Sequence, residues 1–380
     1  MGAAEHGGIA GWPAPLRLLV ALLGDAAPPR VALDREQWHD FARLVIERHR
    51  VAPPVLAALE KLDMAVPAEV LDRIRAEARA NALAALAQKA ETSRLVARLA
   101  ALGCRPMLLK GWPLAEEIAG SAAARHSKDL DLYIRLDELD ACYRVLAGLG
   151  YAPVSEHRGR LPLIGDPALA SECNDLALVR PDGAQVEVHW RSHHFRGWLD
   201  LREICGEGRA WAIDGTGLSV RVPSVTGNLL YLALHGQQHA WLRLKWLHDI
   251  ALILRQLDDA ALRAALEAAA PAAVERPLVG AVHLAHRVFG ARLPAAWPAP
   301  DRVTRRMLAR FVRGIAIEAA PPGSPRARFD FYWGGFVMAQ GVAQRLGVLR
   351  YAFWRGPRLF LASLRSGARP ARLSPDGGDA

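Results

Sequence analysis

The sequence predicts an α+β protein, a small mixed sheet in the middle of the chain with helical regions before and after it. Three observations predict it. Apolar residues recur at helical spacing from residue 35 to about 102 and again from 225 to 319. Between these stretches, short apolar runs alternate with polar residues at period two, as in Lys128–Ile134 and Gln185–Arg191. Pro181-Asp182-Gly183 separates two such runs, the composition of a hairpin turn. The chain divides into an N-terminal helical region (1–103), an α/β core (104–222), a helical domain (223–320) and a basic helical tail with a disordered end (321–380).

Taken in order, residues 1–34 are rich in Gly, Ala and Pro and read as loosely ordered, with a short helix from Pro15 to Leu23. Trp38, Phe41, Leu44 and Val45 place a helix over 35–50. Pro53-Pro54 interrupts it, and Val55–Leu62 adds a turn or two. Pro67 opens a long Ala-rich helix that runs to about Leu102 and stops at Gly103. The core begins with a strand, Pro106–Leu109, then a short helix, Trp112–Ala119, a small-residue loop and a second strand, Lys128–Ile134. An amphipathic helix, Leu136–Leu149, ends at Gly150, and Tyr151–Val154 starts another strand. Ser155–Ser171, with Arg158 and Arg160, reads as a loop beside the site. Cys173–Arg180 and Gln185–Arg191 form the hairpin. Past Pro223 the helices are Val225–Arg255, Asp259–Ala269, Glu275–Phe289 and Asp301–Ala319. Pro321–Arg328 is a linker, and Phe331–Leu364 a last helical region.

Composition narrows the function classes. At 380 residues the chain can bury one large core or two to three units. Cys104, Cys142, Cys173 and Cys205 lie far apart with no CxxC or Cys/His spacing, which argues against zinc and for reduced thiols in a cytoplasmic protein. No run of 18 apolar residues predicts a transmembrane helix. Lysine is scarce: of Lys61, Lys89, Lys110, Lys128 and Lys245, the last three fall in the motif stretches described next. The net charge of +9 is concentrated near the C-terminus, where residues 302–372 hold 14 Arg against Glu318 and Asp330. That asymmetry points to an acidic or nucleic-acid partner, or a membrane surface. The tail LGVLRYAFWRGPRLFLASLR reads most simply as an amphipathic helix that covers the core and keeps its Arg residues outside.

The chemistry concentrates in residues 108–134. Successive strand residues face opposite ways, so Asp129 and Asp131 share a face while Leu130 and Leu132 pack on the other. Two adjacent carboxylates repel and raise each other's pKa unless a cation lies between them. A hard divalent cation such as Mg2+ relieves that repulsion with oxygen ligands. Lys110-Gly111, just before a helix, offers an ammonium, backbone N–H groups and a helix N-terminus to an anion. Lys110 either touches a phosphate or pairs with one of the two Asp residues. Arg125 carries a fork that matches phosphate oxygens, and Ser127 and Lys128 are weaker candidates.

This stretch resembles the nucleotidyltransferase superfamily of DNA-polymerase-beta-like fold. It is most similar to its uncharacterised bacterial members with Leu-Lys-Gly, an Arg, and Asp-x-Asp-Leu. Here these read Leu109-Lys110-Gly111, Arg125 and Asp129-Leu130-Asp131-Leu132. The resemblance extends through QVEVHW (185–190) and residues 234–254, the middle 150 residues or so. Trp112 departs from the superfamily pattern, where Gly or Ser is usual.

The resemblance implies a nucleotidyltransferase α/β core and Mg2+-dependent transfer of a nucleoside monophosphate, AMP from ATP as the first choice, to an unknown acceptor. It implies Asp129, Asp131 and Glu187 as metal ligands and catalytic residues, with Asp175 as the fallback carboxylate. Lys110, Gly111 and Arg125 are then the expected contacts to the nucleoside triphosphate, with Ser127 weaker and Lys245, on the helical stretch 234–254, a further phosphate contact. Two alternatives stay open. One is a nucleotide-binding accessory protein, motivated by Trp112, and the other a tRNA-modifying toxin-type enzyme, motivated by the basic tail. His235, His239, Trp246 and Asp249 form a polar stripe on the expected helix, either facing the site or packing on the domain.

Overall fold

The computed structural model describes residues 7–24, 32–154, 164–166, 170, 173–191, 201–271, 273–317 and 325–355. Most of the expected loop over 155–171, the first residues, part of the 321–328 linker and the end of the tail lie outside these. In chain order the helices used below are α1 (Ala14–Leu23), α2 (Arg35–Arg43), α3 (Ala52–Lys61), α4 (Ala68–Ala100), α5 (Gly111–Ala119) and α6 (Leu139–Gly148). They continue with α7 (Val225–Gln238), α8 (Leu244–Gln256), α9 (Asp259–Ala269), α10 (Glu275–Phe289), α11 (Arg302–Ala316), α12 (Pro325–Met338) and α13 (Val342–Arg350). The strands are β1 (Met107–Leu109), β2 (Leu130–Tyr133), β3 (Ala152–Pro153), β4 (Asp175–Val179), β5 (Gln185–His189), β6 (Arg209–Ile213) and β7 (Leu218–Val222). The protein is α+β, as the sequence predicts.

The chain forms two compact units, each assembled from three stretches. The first comprises residues 1–86, 114–127 and 232–319, and the second 87–113, 128–231 and 320–380.

The second unit holds the whole sheet, in the order β3-β4-β5-β2-β1-β7-β6. It is mixed: β1 runs antiparallel to β2, while β2–β5 and β1–β7 are parallel. The expected hairpin is β4–β5, antiparallel, with Ala177 opposite Glu187. Its turn closes through Gly183 N–H to Arg180 O (2.9 Å) and Arg180 N–H to Ala184 O (2.9 Å), and Gly183 adopts the left-handed φ of +89° that suits glycine. The β6–β7 hairpin, not among the elements expected from the sequence, lengthens the sheet beyond β1. Helix α4 contributes its last part to this unit. Its Glu91 accepts from Tyr151 Oη (2.8 Å) and from Arg180 (3.1 Å), which ties the helix to the β3–β5 edge.

The first unit is helical. Asp34 caps α2 in a capping box with Gln37, and Leu18, Leu19, Phe41 and Val55 are fully buried in α1–α3. Helix α8 is buried on nearly every side, including Lys245, His248 and Asp249.

The sequence predicts one continuous helix over 225–255, but the chain breaks between Gln238 and Leu244. Ala240 and Trp241 adopt left-handed φ values of 50° and 55°. Trp241 is 1% exposed, and its ring lies against Gly236, where an added Cβ would meet ring atoms at 2.3 Å. Helical spacing continues through the break, so the pattern alone hides it. The fold depends on that contact, and Gly236→Ala is expected to destabilise the protein by about 1–3 kcal/mol in urea unfolding. A variant as stable as the wild type would show that the Trp241 ring moves away without loss.

Candidate functional site

The parallel register of β2 and β5 sets Asp131 beside Glu187 and Tyr133 beside His189. Glu187 and His189 are two apart on β5 and share a face. The result is a compact group within the second unit. Among the described residues, the Asp131, Glu187 and His189 donor atoms lie within 4.8 Å of one another. His189 Nε2 is 3.1 Å from Asp131 Oδ1 and 3.7 Å from Glu187 Oε2. Asp131 is 2% exposed and Asp175, opposite His189 on β4, is fully buried. Strand β2 begins at Leu130, two residues later than expected, so Asp129 sits in the bend before it and is not in the converging group.

Lys110 completes the cluster. Its Nζ lies 3.1 Å from Asp131 Oδ1 and 5.7 Å from the centre of the Tyr231 ring. Burial pulls the ammonium toward neutrality, but Asp131, Tyr231, Asp129 and Glu187 outweigh it and hold Lys110 above its ordinary value. Burial likewise pushes Asp131 up, and Lys110 and His189 more than reverse this, so its carboxyl stays below the usual range. Glu187 goes the other way. Burial, then Asp175, Asp131 and Asp129, lift it well above the carboxylate value of 4.5, and Lys110 only partly opposes them. Burial also raises the Tyr231 hydroxyl.

The Lys110-Gly111 turn is strained in a way that a site accounts for. Both residues have left-handed φ, 51° and 62°. Glycine takes that conformation freely, whereas a lysine there is held against its preference by the rest of the structure. The ammonium's place beside Asp131 supplies that hold. Trp112, which follows, is fully buried; its Nε1–H donates to Thr92 Oγ1 at 3.1 Å. The indole is a core residue that anchors the turn to α4.

The donor set suits a divalent cation. Asp129, Asp131 and Asp175 all act on Glu187, and Lys110 only partly opposes them. Carboxylates that crowd one another in a buried place are the donors that a hard cation suits.

The other predicted phosphate contacts belong to the first unit. Arg125 Nε donates to both Asp249 oxygens, at 3.0 and 2.9 Å, and both residues are buried. Asn81 holds the loop before β2, donating to Ala123 O (3.0 Å) and Arg125 O (3.2 Å) and accepting from Ser127 N–H (3.1 Å). Lys245 and Arg125 both act on His126, which burial first and then Lys245, Arg50, Arg125 and Arg243 lower to about 3. The His235 and His239 rings lie against each other (centroids 4.6 Å apart) and against Trp246 (5.3 and 4.9 Å), tilted or edge-on. Sequence reasoning gave no role to Asn81 or Tyr231 and placed His189 on the right face without a function. The His189 signal was present in the alternation of QVEVHW.

The family model described as "Uncharacterised nucleotidyltransferase" matches residues 34–290, more than half of the chain, and takes in every residue named above. None of the curated proteins compared matches the chain significantly.

Two predictions follow from these charges. Glu187 has a raised folded pKa, so the folded state holds a proton that the unfolded state releases above 4.5. Its contribution to stability is present below 4.5 and lost as pH rises through the folded value. Glu187→Gln is therefore expected to gain melting temperature relative to wild type as pH rises from 4.5, and millimolar Mg2+ to narrow that gap by stabilising wild type alone. A gap that does not change with pH would mean Glu187 is not protonated in the fold. Second, Asp249→Ala leaves a buried guanidinium without its carboxylate and is expected to lose about 3–5 kcal/mol in urea unfolding. A loss below about 1 kcal/mol would mean that water replaces Asp249.

Proposed function

The chain belongs to the uncharacterised nucleotidyltransferase family, and from that premise we propose that it moves a nucleoside monophosphate, AMP from ATP, onto a small-molecule, peptide or protein acceptor with Mg2+. The observation that carries this reading is the convergence of Asp131 and Glu187 against one buried ammonium. Nucleotidyl transfer in general follows from the family. The choice of nucleotide, the acceptor and the metal are our reading.

In the proposed reaction an acceptor oxygen, of a hydroxyl or a phosphate, attacks the α-phosphorus in line. The new O–P bond forms as the bond to the bridging oxygen breaks, and pyrophosphate leaves. Asp129, Asp131 and Glu187 are the residues that would hold the metal, which when bound neutralises the α-phosphate oxygens. Glu187, ionised once a cation displaces its proton, is also the carboxylate proposed to take the proton that the attacking group loses. His189 orients the Asp131 carboxylate through their contact. Lys110 and the backbone N–H groups at the start of α5 offer positive charge to phosphate. Arg125, Ser127 and Lys245 are proposed as phosphate contacts on their chemistry alone. The accessory-protein alternative rested on Trp112; that ring is seated in the core, so it leaves the carboxylates in place and the enzyme reading is favoured.

The test is transfer from α-labelled ATP, GTP, CTP or UTP, with Mg2+, into an extract of the source cells. A labelled product is expected, reduced about a hundredfold or more in Asp131→Asn while the circular dichroism spectrum is kept. Undiminished labelling by Asp131→Asn, or no labelling from any nucleotide, would overturn the reading.

A further inference from the structure

Helix α13 is inverted. A helix on a protein surface normally turns its apolar stripe inward. Here Val342, Leu346 and Leu349, and Phe353 in the turn that follows, are 73, 59, 42 and 75% exposed. Their offsets of four, three and four residues place them on one face. The buried side carries Gln344 (2% exposed), Val348 and Tyr351 instead. In α12, Phe329 and Trp333, one turn apart, are 60 and 47% exposed and stacked at 6.0 Å. Arg345 of α13 lies over the Phe336 ring of α12 at 5.9 Å, which brings the two helices' aromatic and basic groups together. An exposed apolar face of this extent marks an interaction surface.

We propose that α12 and α13 form a docking surface for an anionic lipid bilayer. The charge of the segment selects this occupant: residues 325–372 hold nine Arg against one carboxylate, Asp330. Arg345 and Arg350 are themselves exposed on α13, interleaved with the apolar stripe. A helix that lies in a membrane interface needs that mixture, with aliphatic and aromatic groups among the acyl chains and arginines at the headgroups. Nucleic acid would reward the arginines and the aromatic faces but gain nothing from Val342, Leu346 and Leu349. A second copy of the chain would bring two such basic segments together, a repulsive arrangement. Attachment would be peripheral: no helix among the described residues is long and apolar enough to cross a membrane. The surface lies beyond residues 34–290, so the inference is independent of the family and of the proposed reaction.

The experiment is co-sedimentation of the full-length protein with phosphatidylcholine vesicles and with vesicles containing an equal share of phosphatidylglycerol, at 0.1 and 0.5 M NaCl, about twofold apart in Debye length. Binding is expected to the anionic vesicles at low salt, and to weaken about tenfold without phosphatidylglycerol or at high salt. Leu346→Glu/Leu349→Glu should weaken it about tenfold as well. All these positions are exposed, so an unchanged melting curve is expected; should the double variant not fold, Phe353→Ser decides in its place. Three outcomes would overturn the proposal. These are no binding to anionic vesicles, binding that the apolar substitutions leave unchanged, and a dimer that the same substitutions dissociate.

Discussion

The ion pair of Lys110 with Asp131 is the constraint from which the second unit's site takes its form. A carboxylate 2% exposed on a central strand is costly unless a cation meets it. Lys110 meets it at 3.1 Å, at the end of β1, the antiparallel neighbour of β2. Reaching that place requires the left-handed turn at Lys110-Gly111 and the start of α5 immediately afterwards. One ammonium nevertheless balances only one carboxylate. Burial and the nearby Asp175, Asp131 and Asp129 then hold the Glu187 carboxyl well above its ordinary value, with Lys110 only partly opposing them.

The first unit treats buried charge differently. Arg125 and Asp249 are matched one to one, with two short hydrogen bonds from Nε, and Asn81 fixes the backbone on either side of Arg125. Nothing in that pair calls for an added ion. His126 and His49 are both lowered to about 3 by burial and by neighbouring cations, so they stay neutral at ordinary pH. The contrast separates a one-to-one ion pair from a cluster in which several carboxylates act on a single glutamate.

Much of this was legible in the sequence because strand alternation is a local property. The shared face of Glu187 and His189 and the hairpin turn at Pro181-Asp182-Gly183 can be read from neighbouring residues. Register cannot. That Asp131 pairs with Glu187 and not with Gln185 is fixed by β2 lying parallel to β5, a contact between strands far apart in the chain. The role of Asp249 depends on a partner 124 residues away. The break after Gln238 depends on a single steric contact between Gly236 and Trp241, which leaves the helical spacing of the sequence intact. The tail shows the same limit. Its composition reads as a helix with arginines out and leucines in, whereas packing leaves Leu346 and Leu349 exposed beside Arg345 and Arg350.

His189 bears on which cation the site would take. Imidazole is a good ligand for softer ions and a poor one for Mg2+, which prefers oxygen. Its Nε2 lies at hydrogen-bond distance from Asp131 Oδ1, a group that only accepts. The bond therefore needs the proton on Nε2, and a protonated nitrogen has no lone pair for a metal. In that arrangement Nε2 serves Asp131, and the carboxylate oxygens of Asp131 and Glu187 are the hard donors of the group. The contact also fixes one Asp131 oxygen in place, as the partners of ligating groups commonly do. Carboxylate oxygens as a class suit hard divalent cations, Mg2+ among them.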